Sequence, residues 1–261
     1  MIIDTNAYIG RWPFRRMPCD ELDRFLEVYR KYGVLEVWVG SLEGLFHRDL
    51  GGVNHRLWET CQAVQKVRLV PFGSVNPRLP DWKEDLLRCA KKYNMPGIRL
   101  HPNYHRYRLQ EPALQELLDL AERCGLLVQL VVRMEDVRVQ DERFATPDVD
   151  LKPLAELVEA RPKLNIMILN GFLSTTQGLL PRLVKTGRIW LEIATLEGPG
   201  GLEHLLQTMP ADRIMFGSHV PLFCLESALL KLRESELAAD VHRAICHENA
   251  RSLLPQSQRL S

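Results

Sequence analysis

Ile166-Met167-Ile168-Leu169-Asn170-Gly171 sets four apolar residues in succession and then breaks off at an amide and a glycine. Apolar residues in succession, not in alternation, mark a strand covered on both faces, as in parallel sheets. Val37-Trp38-Val39 has the same form, and β-rich runs recur near 1–4, 34–40, 68–74, 97–101, 126–133, 164–169, 188–193 and 213–217. Amphipathic helical patterns lie between them near 20–31, 52–65, 82–93, 111–123, 151–160, 175–186, 200–208 and 223–234, with one more near 238–252. Pro80-Asp81 precedes the third helical pattern, while Gly125 and Gly187 follow the fourth and sixth, as helix starts and stops require. Eight β/α alternations with short connections favour a closed parallel (β/α)8 TIM barrel over an open doubly wound sheet. The 261 residues match the ~250 typical of one such barrel, so 1–261 is read as a single domain. The longest stretch without pattern, 134–150, suits an active-site loop, and the polar tail from Pro255 to Ser261 is expected to fray.

Composition narrows the partners. Lys+Arg total 34 and Asp+Glu 33, for a formal charge of +1, so no electrostatic footprint points to nucleic acid or an anionic membrane. No long uncharged apolar run or leader-like segment is present. The six cysteines form no C-x-x-C pair and have no nearby base pattern, which suggests reduced thiols, a cytoplasmic location and no cysteine-dependent reaction. A homo-oligomer is compatible with these totals.

In a TIM barrel the chemistry collects where strands exit at their C-terminal ends. The first exit reads Asp4-Thr5-Asn6-Ala7-Tyr8, whose period of two would put Asp4, Asn6 and Tyr8 on one side of an extended strand. The fourth reads Gly97-Ile98-Arg99-Leu100-His101-Pro102, with Arg99 and His101 on one face. The others offer Glu43 and His47, Asn76, Arg133 and Glu135, Asn170, Glu192 and Glu197, and Ser218-His219.

These strings, with Phe216-Gly217-Ser218-His219-Val220-Pro221 and Glu248-Asn249-Ala250, resemble the amidohydrolase-related family, which includes small metal-dependent hydrolases and decarboxylases of carboxylate-bearing substrates. The resemblance spans nearly the whole chain and implies an amidohydrolase-like barrel acting on a small, anionic molecule. It also implies a divalent metal such as zinc, held by D-x-H-x-H on the first strand, histidines at the fifth and sixth, and an aspartate in G-S-D-x-P after the eighth. Here those positions carry Asn6 and Tyr8, Val131, Asn170 and His219. Zinc takes imidazole, thiolate or carboxylate, usually three from the protein at a catalytic site. An amide, a phenol and a valine do not supply that set, so no metal is expected.

Four residues are therefore expected to be catalytic. His101 and His219 would face each other across the mouth and handle protons near neutral pH, with Asp4 or Glu197 orienting one of them, while Asn6 and Asn170 hydrogen-bond at the reacting centre. Arg99 and Arg133 would clamp a substrate carboxylate, Glu197 and Tyr8 would line the pocket, and the reaction would be hydrolysis of a lactone or amide. Other outcomes are open: Arg99 in a structural ion pair with Asp4 or Glu192, Asn6 and Asn170 bonded to each other, a metal recruited by His101 and His219 with the two amides, or an inactive barrel that binds a ligand. Trp12-Pro13-Phe14-Arg15-Arg16 would make an aromatic and basic lid. Gly198-Pro199-Gly200-Gly201 reads as a tight turn before a helix, with phosphate binding as the alternative. His105 and Arg106-Tyr107-Arg108 read as a solvated face, and His204, His242 and His247 as structural.

Overall fold

The computed structural model describes residues 1–172 and 177–258, apart from the side chain of Phe144. Eight strands pair in chain order, each parallel to the next: β1 (Ile3–Ile9), β2 (Glu36–Ser41), β3 (Arg68–Ser74), β4 (Gly97–Leu100), β5 (Leu127–Val131), β6 (Ile166–Leu169), β7 (Ile189–Glu192) and β8 (Ile214–Met215). Backbone bonds from Thr5 N to Phe216 O (3.0 Å), His219 N to Asn6 O (2.6 Å) and Tyr8 N to Val220 O (2.8 Å) bring the last segment back to the first strand and close the barrel. The TIM barrel expected from the alternation is the fold observed.

The helices are α1 (Leu22–Lys31), α2 (Leu50–Ala63), α3 (Trp82–Leu87), α4 (Pro112–Arg123), α5 (Leu154–Glu159), α6 (Leu180–Thr186), α7 (Gly201–Leu206), α8 (Leu225–Glu234), α9 (Ala239–Arg243) and α10 (Asn249–Leu253). The expected helix at 82–93 ends early, because Arg88–Lys92 widens into a π turn, and a second π turn at Ala244–Glu248 divides the one expected at 238–252. The start of the expected 175–186 helix and the last three tail residues lie outside the described residues. No described helix is long and apolar enough to cross a membrane.

Two apolar layers follow from the strand pattern. Outer strand residues such as Val37, Ile98, Val128 and Ile168 pack on the helices. Inside, Ile3, Trp38, Phe72, Leu127, Met167, Trp190 and Met215 fill the lumen from seven strands, with Trp38 stacked on Phe72 at 5.2 Å. The remaining strand, β4, contributes Arg99.

Arg99 is fully buried and lies in this lumen, not at the mouth. Its Nε donates to Gln129 Oε1 (2.8 Å), Nη1 to the Ala7 carbonyl (2.7 Å), and its guanidinium lies 4.3 Å over the Tyr8 ring. The expected ion pair with Asp4 or Glu192 is not formed. An amide, a carbonyl and a ring face satisfy the cation instead, and they leave Arg99 no free edge for a substrate carboxylate. The packing needs glycine at position 40, where a Cβ would come within 2.8 Å of Arg99 Nη1.

Candidate active site

The top of the lumen is a fully buried polar cluster made by residues that end strands. Asn6 Nδ2 donates to Asn170 Oδ1 (2.9 Å) and to Glu192 Oε1 (3.2 Å). Glu192 also takes the Asn170 and Ala194 backbone N–H groups, both at 2.6 Å. Asn170 Nδ2 donates to the Arg133 carbonyl (2.7 Å) and lies 3.2–3.3 Å from both ring nitrogens of His219. His219 Nε2 donates to the Met134 carbonyl (2.6 Å), which leaves Nδ1 as the acceptor. Asn170 (φ 57°) and His219 (φ 62°) are left-handed, a conformation that costs a non-glycine residue of order 1 kcal/mol or more and tends to collect at functional sites.

His101 sits beside this cluster. Its Nε2 is 2.9 Å from Tyr8 Oη, and its Nδ1 is buried with no partner among the described residues. Tyr8 stands between the two histidines, with ring centres 5.9 Å from His101 and 5.6 Å from His219. Tyr8 is therefore bonded to His101 rather than a passive wall, and its ring contacts both histidines. Burial, the His105 ring and the Arg99 charge hold His101 well below the usual histidine range. Burial likewise takes His219 down to about 4 and Tyr8 up to about 12. Burial raises the Glu192 carboxyl, opposed by its two backbone N–H donors.

The other candidates lie elsewhere. Asp4 does not share the face of Asn6 and Tyr8, because the β1 register shifts between Asp4 and Ala7. Its carboxylate turns outward to Tyr29 Oη (2.7 Å) and Ser218 N (3.0 Å). Glu197 has a side chain 53% exposed and pairs with Arg138 at 3.3 Å, so neither acid orients a histidine. Arg133 does reach the mouth, where it holds Asp148 through two bonds of 2.8 and 2.7 Å.

His105 is buried, not solvated: it lies 5.7 Å from the His101 ring, and its Nε2 donates to the Gly44 carbonyl, 2.9 Å away. Tyr107 is buried too, while Arg106 and Arg108 are exposed. Gly198 (φ 95°) and Gly200 (φ 63°) form the tight turn before α7.

A roof covers the cluster. Trp12 is buried, edge-on to Phe14, Phe46 and Tyr104 at 5.5–6.2 Å, and Arg15 is ion-paired with Glu135 across to the loop after β5. The cavity left beneath, lined by His101, Tyr104, Arg133, Met134, Thr146 and Pro147, has about 10 Å³, room for one water molecule. Gln129 and Asp148 were not expected at the site, and Glu192 was expected only as a strand exit and possible partner of Arg99. Glu192 ends the run Ile189-Trp190-Leu191 as Asn170 ends β6, and that parallel was the available signal.

The residues at the family's ligand positions do not make a metal cage. Asn6 and Asn170 are bonded to each other, Tyr8 to His101, and His219 Nε2 to a carbonyl. Among the described residues no three His, Cys, Asp or Glu side chains gather where they could hold an ion.

Solved structures of the same fold cover this chain end to end. 2,6-Dihydroxybenzoate decarboxylase from Rhizobium matches with a TM-score of 0.76 at 15% identity, covering 97% of this chain and 98% of that one. 5-Carboxyvanillate decarboxylase from Novosphingobium aromaticivorans, complexed with manganese and 4-hydroxy-3-methoxy-5-nitrobenzoic acid, gives 0.77 at 14% identity, over 97% and 95% of the two chains. A dihydroxybenzoic acid decarboxylase from Polaromonas with bound manganese and 2-nitroresorcinol gives 0.73 at 14%, over 97% of each. No curated protein matches by sequence. The sequence model of the amidohydrolase family matches residues 8–256, and the chain belongs to that family.

Proposed function

We propose that this protein binds a small carboxylate-bearing molecule at the barrel mouth and hydrolyses a lactone or amide bond in it without the family's metal. The observation that carries this reading is the Tyr8–His101 pair, with one imidazole nitrogen bonded to the phenol and the other free at the edge of the cavity. With Nε2–H on Tyr8 Oη, Nδ1 presents its lone pair to a water. It takes a proton as that water attacks the acyl carbon, and returns the proton to the oxygen or nitrogen that leaves. A histidine held neutral by burial is available as a base across the neutral range. Asn6 Oδ1 has no partner among the described residues, and Glu192 holds Asn6 and Asn170 in place.

Two of the decarboxylase neighbours hold manganese. The donor set at this mouth supports the metal-free alternative, since its amides and phenol are already committed to one another. The test is a panel of lactones, amides and aromatic carboxylates, assayed with and without added Mn2+ or Zn2+. Turnover of a lactone or amide that ignores the metal is the expected result. Turnover that requires the ion would overturn the mechanism.

A second reading, a barrel that binds a ligand without turning it over, is favoured by one observation. Asn170, Glu192, His219 and Arg133 are already bonded within the protein. That reading predicts saturable binding with silence across the panel.

A further inference from the structure

Arg133 and Asp148 are the side chains nearest to being a ready-made ligand site. Both side chains are nearly buried, at 11% and 9% exposure, and they meet through two parallel bonds, the geometry in which arginine recognises a carboxylate. Arg133 leaves β5 at the wall of the one-water cavity. Asp148 ends the loop whose Thr146 and Pro147 line that cavity. The Arg133 and Met134 carbonyls accept from Asn170 and His219, so the arginine's backbone is fixed to the polar cluster. Along its middle the loop is held by Arg15 Nη1 at the Val139 carbonyl (3.4 Å), by the Arg138–Glu197 ion pair (3.3 Å) and by Tyr104 bonded to the Gln140 and Thr146 side chains. Apart from a short 3-10 turn at Glu142–Phe144 it has no regular structure, and it carries Val137 and Val139 at 61% and 56% exposure.

We infer that Arg133 is the carboxylate-binding site of this barrel and that Asp148 is its internal occupant, displaced when a ligand's carboxylate takes the same two N–H donors. Thr146 and Pro147, which precede Asp148, form part of the wall of the cavity beside His101. Exchange of one carboxylate for another would therefore open the cavity at the moment the ligand is anchored. The loop's other attachments yield in the same movement, among them the Arg15–Glu135 and Arg138–Glu197 ion pairs, the Tyr104 bonds to Gln140 and Thr146, and the bond from Asn103 Nδ2 to the Pro147 carbonyl. Four aromatic side chains at the rim, Trp12, Phe14, Phe46 and Tyr104, make an aryl carboxylate a suitable probe. The inference rests on the proposal that the mouth takes a carboxylate, but not on the proton chemistry assigned to His101.

The experiment is calorimetric titration of the full chain with benzoate, and with benzamide as an uncharged control of the same shape. An internal competitor lowers apparent affinity by the fraction of molecules in which it is bound, so Asp148→Asn should tighten benzoate roughly tenfold or more. Benzamide should gain nothing, and Arg133→Gln added to D148N should abolish the gain. Should D148N fail to fold, hydrogen exchange of the wild type serves instead: benzoate should speed exchange of the 136–147 amides by releasing the loop. Equal benzoate affinity in wild type and D148N, an equal gain for benzamide, or unchanged loop exchange under high benzoate would each overturn the inference. If benzoate displaces Asp148 but His101→Gln retains full turnover, the proton chemistry fails and the carboxylate site stands.

Discussion

Tyr8 Oη and His101 Nε2 lie 2.9 Å apart at the closed top of the lumen, both buried, and the other nitrogen of that imidazole has no partner. The first strand and the fourth meet here, although 93 residues of sequence separate the two side chains. Phenol and imidazole can each donate in this bond, and the proposed base is the tautomer in which Nε2 donates and Nδ1 accepts.

Removing the histidine should therefore cost more than removing the phenol. A positioned general base contributes about 10²–10⁴-fold, so His101→Gln is expected to lower kcat by that range with KM little changed. Tyr8→Phe keeps the ring over Arg99 and loses only the hydroxyl; about tenfold in kcat is expected. Initial rates on the responsive lactone or amide decide the matter, and equal rates in wild type and H101Q would contradict the assignment.

His219 contributes a pH-dependent part of the stability, with the same sign as His101 and His105, whose pKa values burial also lowers. Its folded pKa is about 4 against 6.5 ordinarily, so between these values the unfolded chain binds the extra proton. Stability from this group is complete above about pH 6.5 and drains away toward pH 4, by about 3 kcal/mol in all. The buried Glu192 and Asp4 carboxyls, whose pKa values burial raises, act with the opposite sign, so the comparison must isolate the histidine. Urea unfolding of wild type and His219→Gln at several pH values between 4 and 7 should show the smaller slope in the variant. Parallel curves would contradict it.

Much of the barrel could be read from the sequence, because burial on both faces writes itself as consecutive apolar residues and each strand's exit as a polar break. Asn6, Tyr8, His101, Asn170 and His219 each stand at such a break, the resemblance to the amidohydrolase-related family singled them out as one site, and the structure gathers them. Arg99 was misjudged because its place along β4 gives direction but not depth; one layer lower, it meets Gln129 instead of solvent. Asp4 was misjudged because a register shift between Asp4 and Ala7 leaves no mark in the periodicity. His105 and Asp148 sit on loops, where no repeat links position to burial. Glu197 illustrates the converse, a residue near the right strand end that points into water.

Arg99 is expected to matter for the fold rather than for ligand binding. Arg99→Met fits the lumen but leaves Gln129 Oε1 and the Ala7 carbonyl without their donor. Two orphaned buried acceptors cost about 3 kcal/mol together. Urea denaturation at neutral pH measures this directly. An unchanged midpoint, or a loss confined to ligand affinity, would return Arg99 to the substrate-binding set.

The central claim is that the mouth works through its own side chains, and metal content tests it most directly. Protein purified without chelators, equilibrated with Mn2+ and Zn2+ and then freed of unbound ion, should carry far less than one ion per chain by mass spectrometry, with turnover unaffected by EDTA. One tightly held ion per chain, lost together with activity in His219→Gln, would contradict the account.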